Sequence, residues 1–148
     1  DSNCTAQPLG KGPVPSPDNS YEFLHSKEIE SIADQAPTPV NYTRSFQNLP
    51  ASSSGEKYIN YITLDSYDTE SCAANCTAQE ECHSINIYFE RAPTVKVGED
   101  CVDPPSTTII KCAFWGSTVT EENATNKGHT EEAFVVAVAG SNGYYNSR

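Results

Sequence analysis

DTESCAANCTAQEECHSINIYFER, residues 68–91, carries the densest structural signal in the chain. It places three of the six cysteines within eleven residues and follows them with an alternating apolar segment. Asp68 or Thr69 supplies a side-chain oxygen for the free amides of a helix start, and the pattern predicts a helix over about residues 70–79. Cys72 and Cys76 are four residues apart, so they share one helix face and point at whatever the helix packs against. Asn75, one position round, is expected to face solvent. After Cys82, Ile85, Ile87 and Phe89 alternate with Asn86, Tyr88 and Glu90, which predicts a strand with one buried face. The stretch therefore reads as a short helix stapled by disulfides to a neighbouring strand.

On its N-terminal side, KYINYITLDSY (57–67) predicts a strand with Tyr58, Asn60, Ile62 and Leu64 on one side and Ile59, Tyr61 and Thr63 on the other. Downstream, residues 92–108 make an excursion broken by Pro93, Gly98, Pro104 and Pro105, with Cys101 as its tether. A strand follows over 109–116, with Ile110, Cys112 and Phe114 on one side. AFVVAVAG (133–140) is the most apolar run, a central strand buried on both faces and ended by Gly140, with Asn142-Gly143 as a turn signal beyond it. Upstream, Ser26 caps a short amphipathic helix over 26–36 with Ile29, Ile32, Ala33 and Ala36 on one face, stopped by Pro37 and Pro39. NYTRSFQNLPASSSGEK (41–57) reads as a loop anchored by Tyr42, Phe46 and Leu49, and the first twenty residues, with four prolines, as an extended arm tied down by Cys4. The expectation is four strands and two short helices, divided into an N-terminal arm with one short helix (1–56) and a core domain (57–148).

Composition sets the compartment. The chain of 148 residues is 36% hydrophobic with no methionine, so cross-links must supplement a modest core. An even number of cysteines in a polar chain reads as a disulfide framework, and six cysteines allow fifteen pairings that spacing alone does not resolve. Sequons at Asn3, Asn41, Asn75 and Asn123 agree with the oxidising, secretory route, in which Asp1 would be the mature start. A net charge of −11 argues against nucleic acid, because phosphate neutralisation needs clustered Lys and Arg. No apolar run approaches the ~20 residues of a membrane span.

YINYITLDSYDTESCAANC, CHSINIYFER, CVDPPSTTIIKCAFWG and FVVAVAGSNGY together resemble the PAN/apple domain, and more closely a group of secreted fungal proteins with an apple-like core. The resemblance covers about residues 57–143. It implies an α+β fold, a curved antiparallel β-sheet packed on one helix with the helix fastened by disulfides. It further implies the pairs Cys72–Cys101 and Cys76–Cys82, leaving Cys4 for Cys112.

Three kinds of chemistry are open to these side chains. Cys72, Cys76, Cys82 and His83 lack the tight paired spacing of a zinc site, and no metal or cofactor is expected. No catalytic residue is expected either. Asp68 and Glu70 sit at a helix cap, Glu121, Glu122, Glu131 and Glu132 in loops, and Glu90 beside Arg91 reads as a structural ion pair, while His25, His83 and His129 are scattered without a serine motif. The remaining chemistry is binding. Tyr88, Glu90, Arg91 and Trp115 are the candidate ligand residues, with Asn86, Tyr144 and Tyr145 nearby, for an extracellular carbohydrate or protein of the cell wall or matrix. The alternative is a structural subunit of an extracellular surface that assembles as a homo-oligomer through its N-terminal arm.

Overall fold

The computed structural model describes residues 4–147. In chain order they form α1 (Ser20–Leu24), α2 (Lys27–Gln35), β1 (Tyr42–Leu49), β2 (Ser52–Ser53), β3 (Tyr58–Leu64), α3 (Thr69–Thr77), β4 (Ser84–Pro93), β5 (Ser106–Trp115), β6 (Ala124–Asn126), β7 (Gly128–Glu131) and β8 (Phe134–Asn146). Each helix starts where a side chain takes up a free amide: Asn19 accepts from the Glu22 N–H, Ser26 from Ile29 and Asp68 from Ser71. The fold is α+β. An antiparallel sheet runs β1-β8-β4-β5-β3, with β7 hairpinned onto β8, and β2 pairs with β6 separately.

One face of the sheet carries the helices. Ile85, Ile87 and Phe89 of β4 and Ile110, Cys112 and Phe114 of β5 point there, as their alternation requires, and meet Phe23 of α1, Ile29 of α2 and Cys72, Ala73 and Cys76 of α3 in one buried cluster. Three helices rather than one therefore cover this face. The other face of β4 is buried too: Asn86 is fully buried and Tyr88 nearly so, in place of the solvent-facing row expected from the sequence. A second cluster of Phe46, Tyr88, Ala113, Trp115, Val119 and Val138 lies there. The β2–β6 pair closes over it, and Asn86 clamps the layers by accepting from the Ser53 N–H (2.7 Å) and donating to Ser141 Oγ and Asn142 O (both 2.9 Å).

Two register shifts reset which side chains face which layer. Between the pairs Ile87↔Asn142 and Phe89↔Ala139, Tyr88 alone opposes Gly140 and Ser141. Gly140 takes φ +57°, the left-handed conformation of a bulge glycine, so β8 continues to Asn146 where the sequence predicted a stop at Gly140 and a turn at Asn142-Gly143. Gly143 instead lies flat under the Phe46 ring, where a β-carbon would stand 2.3 Å from Cε2. In β3, Tyr58 opposes Trp115 while Asn60 opposes Phe114, which leaves one extra residue between them. Ile59 and Ile62 consequently both pack against the helix-side cluster, and the strict alternation predicted over 58–64 does not hold.

The cross-links are Cys4–Cys101, Cys72–Cys112 and Cys76–Cys82. Cys76–Cys82 is the pair the resemblance implied, whereas Cys72 reaches β5 and not the excursion, and Cys4 takes Cys101. The reason is geometric. Cys112 points from β5 into the helix-side cluster directly beside Cys72, while Cys101 lies beside the arm. The arm lies on its own chain: Lys96 donates to Thr5 O, Gln7 to Thr94 O, and Gly12 to Thr108 O (2.9 Å), where β5 extends past the end of β3. Residues 41–57, expected as a loop, contain β1, which pairs with β8. With Phe23, Ile29 and Tyr42 in the main cluster, residues up to 56 share one sheet and one core with the rest, so the expected division at 56/57 is not a structural boundary.

Candidate functional site: an aromatic groove on the outer face

The extra residue in β3 decides the site. It turns Tyr58 and Tyr61, three apart in sequence, onto the same face, where each is about half exposed (50% and 47%). They form one wall of a groove of about 380 Å³ whose other walls are Ser52–Gly55 and the Tyr88, Glu90 and Lys111 side chains of β4 and β5. Tyr58 meets the Trp115 ring edge-on at 5.1 Å, and the Lys111 ammonium stands 4.4 Å from the centre of the Tyr61 ring. Lys111 Nζ also pairs with Glu90 Oε1 at 2.9 Å, so the groove presents apolar ring faces beside one neutralised ion pair. Burial, followed by the Glu90 charge, pushes the Tyr88 hydroxyl far above the ordinary tyrosine range, so it stays protonated. Burial raises Tyr58 as well, ahead of the effects of Tyr61 and Lys111.

Of the residues singled out from sequence, Tyr88, Glu90 and Trp115 come together at this groove, and Asn86 lies at its floor. Trp115 and Tyr88 are largely buried walls, and among the described residues the Trp115 Nε1 has no hydrogen-bond partner. Arg91 is not part of the site. Successive strand residues point to opposite faces, so Arg91 leaves the groove and is 4% exposed, donating to Val135 O (2.9 Å) and to the Asp18 carboxylate (3.1 Å). The expected Glu90–Arg91 ion pair is replaced for the same reason by Glu90–Lys111 and Arg91–Asp18. Tyr144 is buried and accepts from Asn142 Nδ2, and Tyr145 stacks on His83 away from the groove lining. Tyr58, Tyr61 and Lys111 are site residues that the sequence does not reveal. Their i, i+3 spacing signals nothing in a regular strand, and no local signal reveals the bulge.

Glu90 is the only carboxylate among the described residues that line the groove, and no three His, Cys, Asp or Glu side chains among the described residues form a metal-sized group. Among the described residues no helix is long and apolar enough to cross a membrane. Asn41, Asn75 and Asn123 are exposed, and Asn3 lies outside the described residues. Comparison with family models, with curated proteins and with solved structures returns no match, so the arrangement of these side chains carries the functional reading.

Proposed function

We propose that the chain is a secreted, non-catalytic PAN/apple-like glycoprotein module that binds extracellular carbohydrate in the outer-face groove. The observation that carries this reading is the pair of half-exposed rings, Tyr58 and Tyr61, set beside the Glu90–Lys111 ion pair. A sugar ring has apolar C–H faces that pack on aromatic faces and hydroxyls that both donate and accept. Tyr58 and Tyr61 supply the first kind of contact, and Glu90, Lys111 and the Ser52–Gly55 wall supply the second. A neutral saccharide suits the groove best, because its own charges cancel and the net charge of −11 repels an anion.

Binding without hydrolysis is favoured by the lining. A glycosidase places two carboxyl groups about 5 to 10 Å apart across the bond to be cleaved, whereas Glu90 faces Lys111 instead. Secretion is supported by six cysteines all held in disulfides and by three exposed sequon asparagines. α3 fastened to the sheet through Cys72–Cys112 supports the PAN/apple-like reading, although the pairing departs from the one that resemblance implies.

A glycan array followed by titration tests the proposal. Tyr61→Ala and Tyr58→Ala are expected to lower affinity for the bound saccharide about tenfold or more each, with a lesser loss in Arg91→Lys, whose side chain lies on the opposite layer. The exposed tyrosines are better probes than Trp115 or Tyr88, whose truncation would open the second cluster and confound binding with folding. No binding to any neutral glycan by the folded, disulfide-bonded chain, tested both with and without its N-glycans, would refute the reading.

A further inference from the structure

We infer that Asn123 is a glycosylation site whose sugar lies along the rim of the aromatic groove and shields it from free saccharide. The inference rests on the reading of that groove as a saccharide site. Asn123-Ala124-Thr125 is a sequon, and both Asn123 and Thr125 are exposed. The asparagine backbone is pinned in place: its N–H donates to Thr120 O (3.2 Å) and its carbonyl accepts from Ser54 (2.8 Å), a residue of the groove wall. The side chain therefore has a fixed origin.

That origin is the rim. A β-carbon built on Gly55 would stand 3.5 Å from Asn123 Nδ2 and 4.0 Å from Trp115 Cζ3. Gly55 has no side chain, so nothing of residue 55 projects between the amide nitrogen and the Trp115 wall. Asn123 borders the groove through the wall residues Ser54 and Gly55, whereas Asn75 lies on α3, which packs on the helix side of the sheet, and Asn41 precedes β1.

The chemistry needs one co-reactant, a lipid-linked oligosaccharide diphosphate. The Asn123 amide nitrogen forms a bond to the anomeric carbon of the first sugar, the bond from that carbon to the diphosphate oxygen breaks, the lipid diphosphate leaves, and the amide loses one proton. The attached sugar then occupies the solvent volume over Gly55 and competes with a free saccharide for the same rings.

The chain contains one tryptophan, so its indole N–H gives a single resonance that reports on this wall. The wild type, Thr125→Ala and Asn123→Gln, all secreted from the same glycosylating eukaryotic cells, are compared by site-resolved glycopeptide mass, by the indole cross-peak and by saccharide affinity. The expected result is a glycan on Asn123 of the wild type, an indole resonance displaced between wild type and both variants, and affinity about fivefold or more higher in the variants. An unmodified Asn123 overturns the inference, as does a modified Asn123 with unchanged resonance and unchanged affinity. A displaced indole without saccharide binding by any form supports the glycan's placement and overturns only the saccharide reading of the groove.

Discussion

Gly140 shows how one missing side chain organises the centre of the molecule. Its φ of +57° suits glycine, and a β-carbon there would stand 2.9 Å from both Ile29 Cγ2 and Phe89 Cδ2. Gly140→Val is therefore expected to cost about 3 kcal/mol, the sum of backbone strain and overpacking, measured as a lower urea midpoint. Two residues on, the buried Asn142 amide donates to Ala33 O and Tyr144 Oη (both 2.9 Å) while its oxygen accepts from the Asn48 N–H (2.8 Å), which ties α2, β1 and β8 together. Asn142→Ala leaves these groups unpaired and is expected to cost about 2 to 3 kcal/mol in the same assay. From sequence alone, Asn142 and Gly143 read as a turn, because Asn-Gly favours one locally. The long-range partners Ala33 and Phe46 override that preference.

At the scale of elements, α3 and β5 form a stapled pair. Cys72–Cys112 closes 40 residues of chain and Cys76–Cys82 only 6. On the chain-entropy view the paired alanine variants should lose about 4 and about 2 kcal/mol respectively, and chemical denaturation of the two double variants measures the difference. Non-reducing peptide mapping should join Cys4 to Cys101, and a Cys4–Cys112 peptide would contradict this structure. The central element was legible because α3 and β4 obey regular periods: Asp68 caps the helix, and Ile85, Ile87 and Phe89 alternate into the core. β1 was not legible. The irregularity between Arg44 and Phe46 sends Tyr42 into the helix-side cluster and Phe46 into the second one, so burial along β1 does not alternate and the sequence shows no period of two. The same kind of shift hid the Tyr58–Tyr61 wall.

For the whole molecule, Asp18 is the clasp between the arm and the sheet. Burial acts to raise its carboxyl, but hydrogen bonds from Ser106 and Arg91, with the Arg91 charge, more than offset this and hold it below the ordinary 3.8. A depressed folded value stabilises above the unfolded one, and that contribution is lost as pH falls through the folded value. Asp18→Asn should therefore show a smaller loss of stability than the wild type between about pH 6 and pH 2. The tyrosines act at the opposite end. Burial raises Tyr67 first of all, then the Tyr144 charge, and burial raises Tyr88 and Tyr144 too, so their contribution is complete below the ordinary 10.0 and is lost as pH climbs through the folded values. Alkaline unfolding should begin above that range, followed by far-ultraviolet circular dichroism. Because the arm is bonded to its own body, size-exclusion chromatography should give one monomeric peak with and without reductant if the fold survives reduction.

The disulfide-dependent α+β class, the cap and face of α2 and α3, and the inward rows of β4 and β5 can be read from local sequence, because capping and periodicity act over a few neighbouring residues. The pairing of Cys4 and Cys72, the strand at Tyr42–Leu49, the partners of Glu90 and Arg91, and the convergence of Tyr58, Tyr61 and Lys111 on one groove emerge in three dimensions alone. Each of these depends on strand register, which is set by contacts between residues far apart in the chain. One extra residue in a strand is enough to turn every side chain beyond it to the other face.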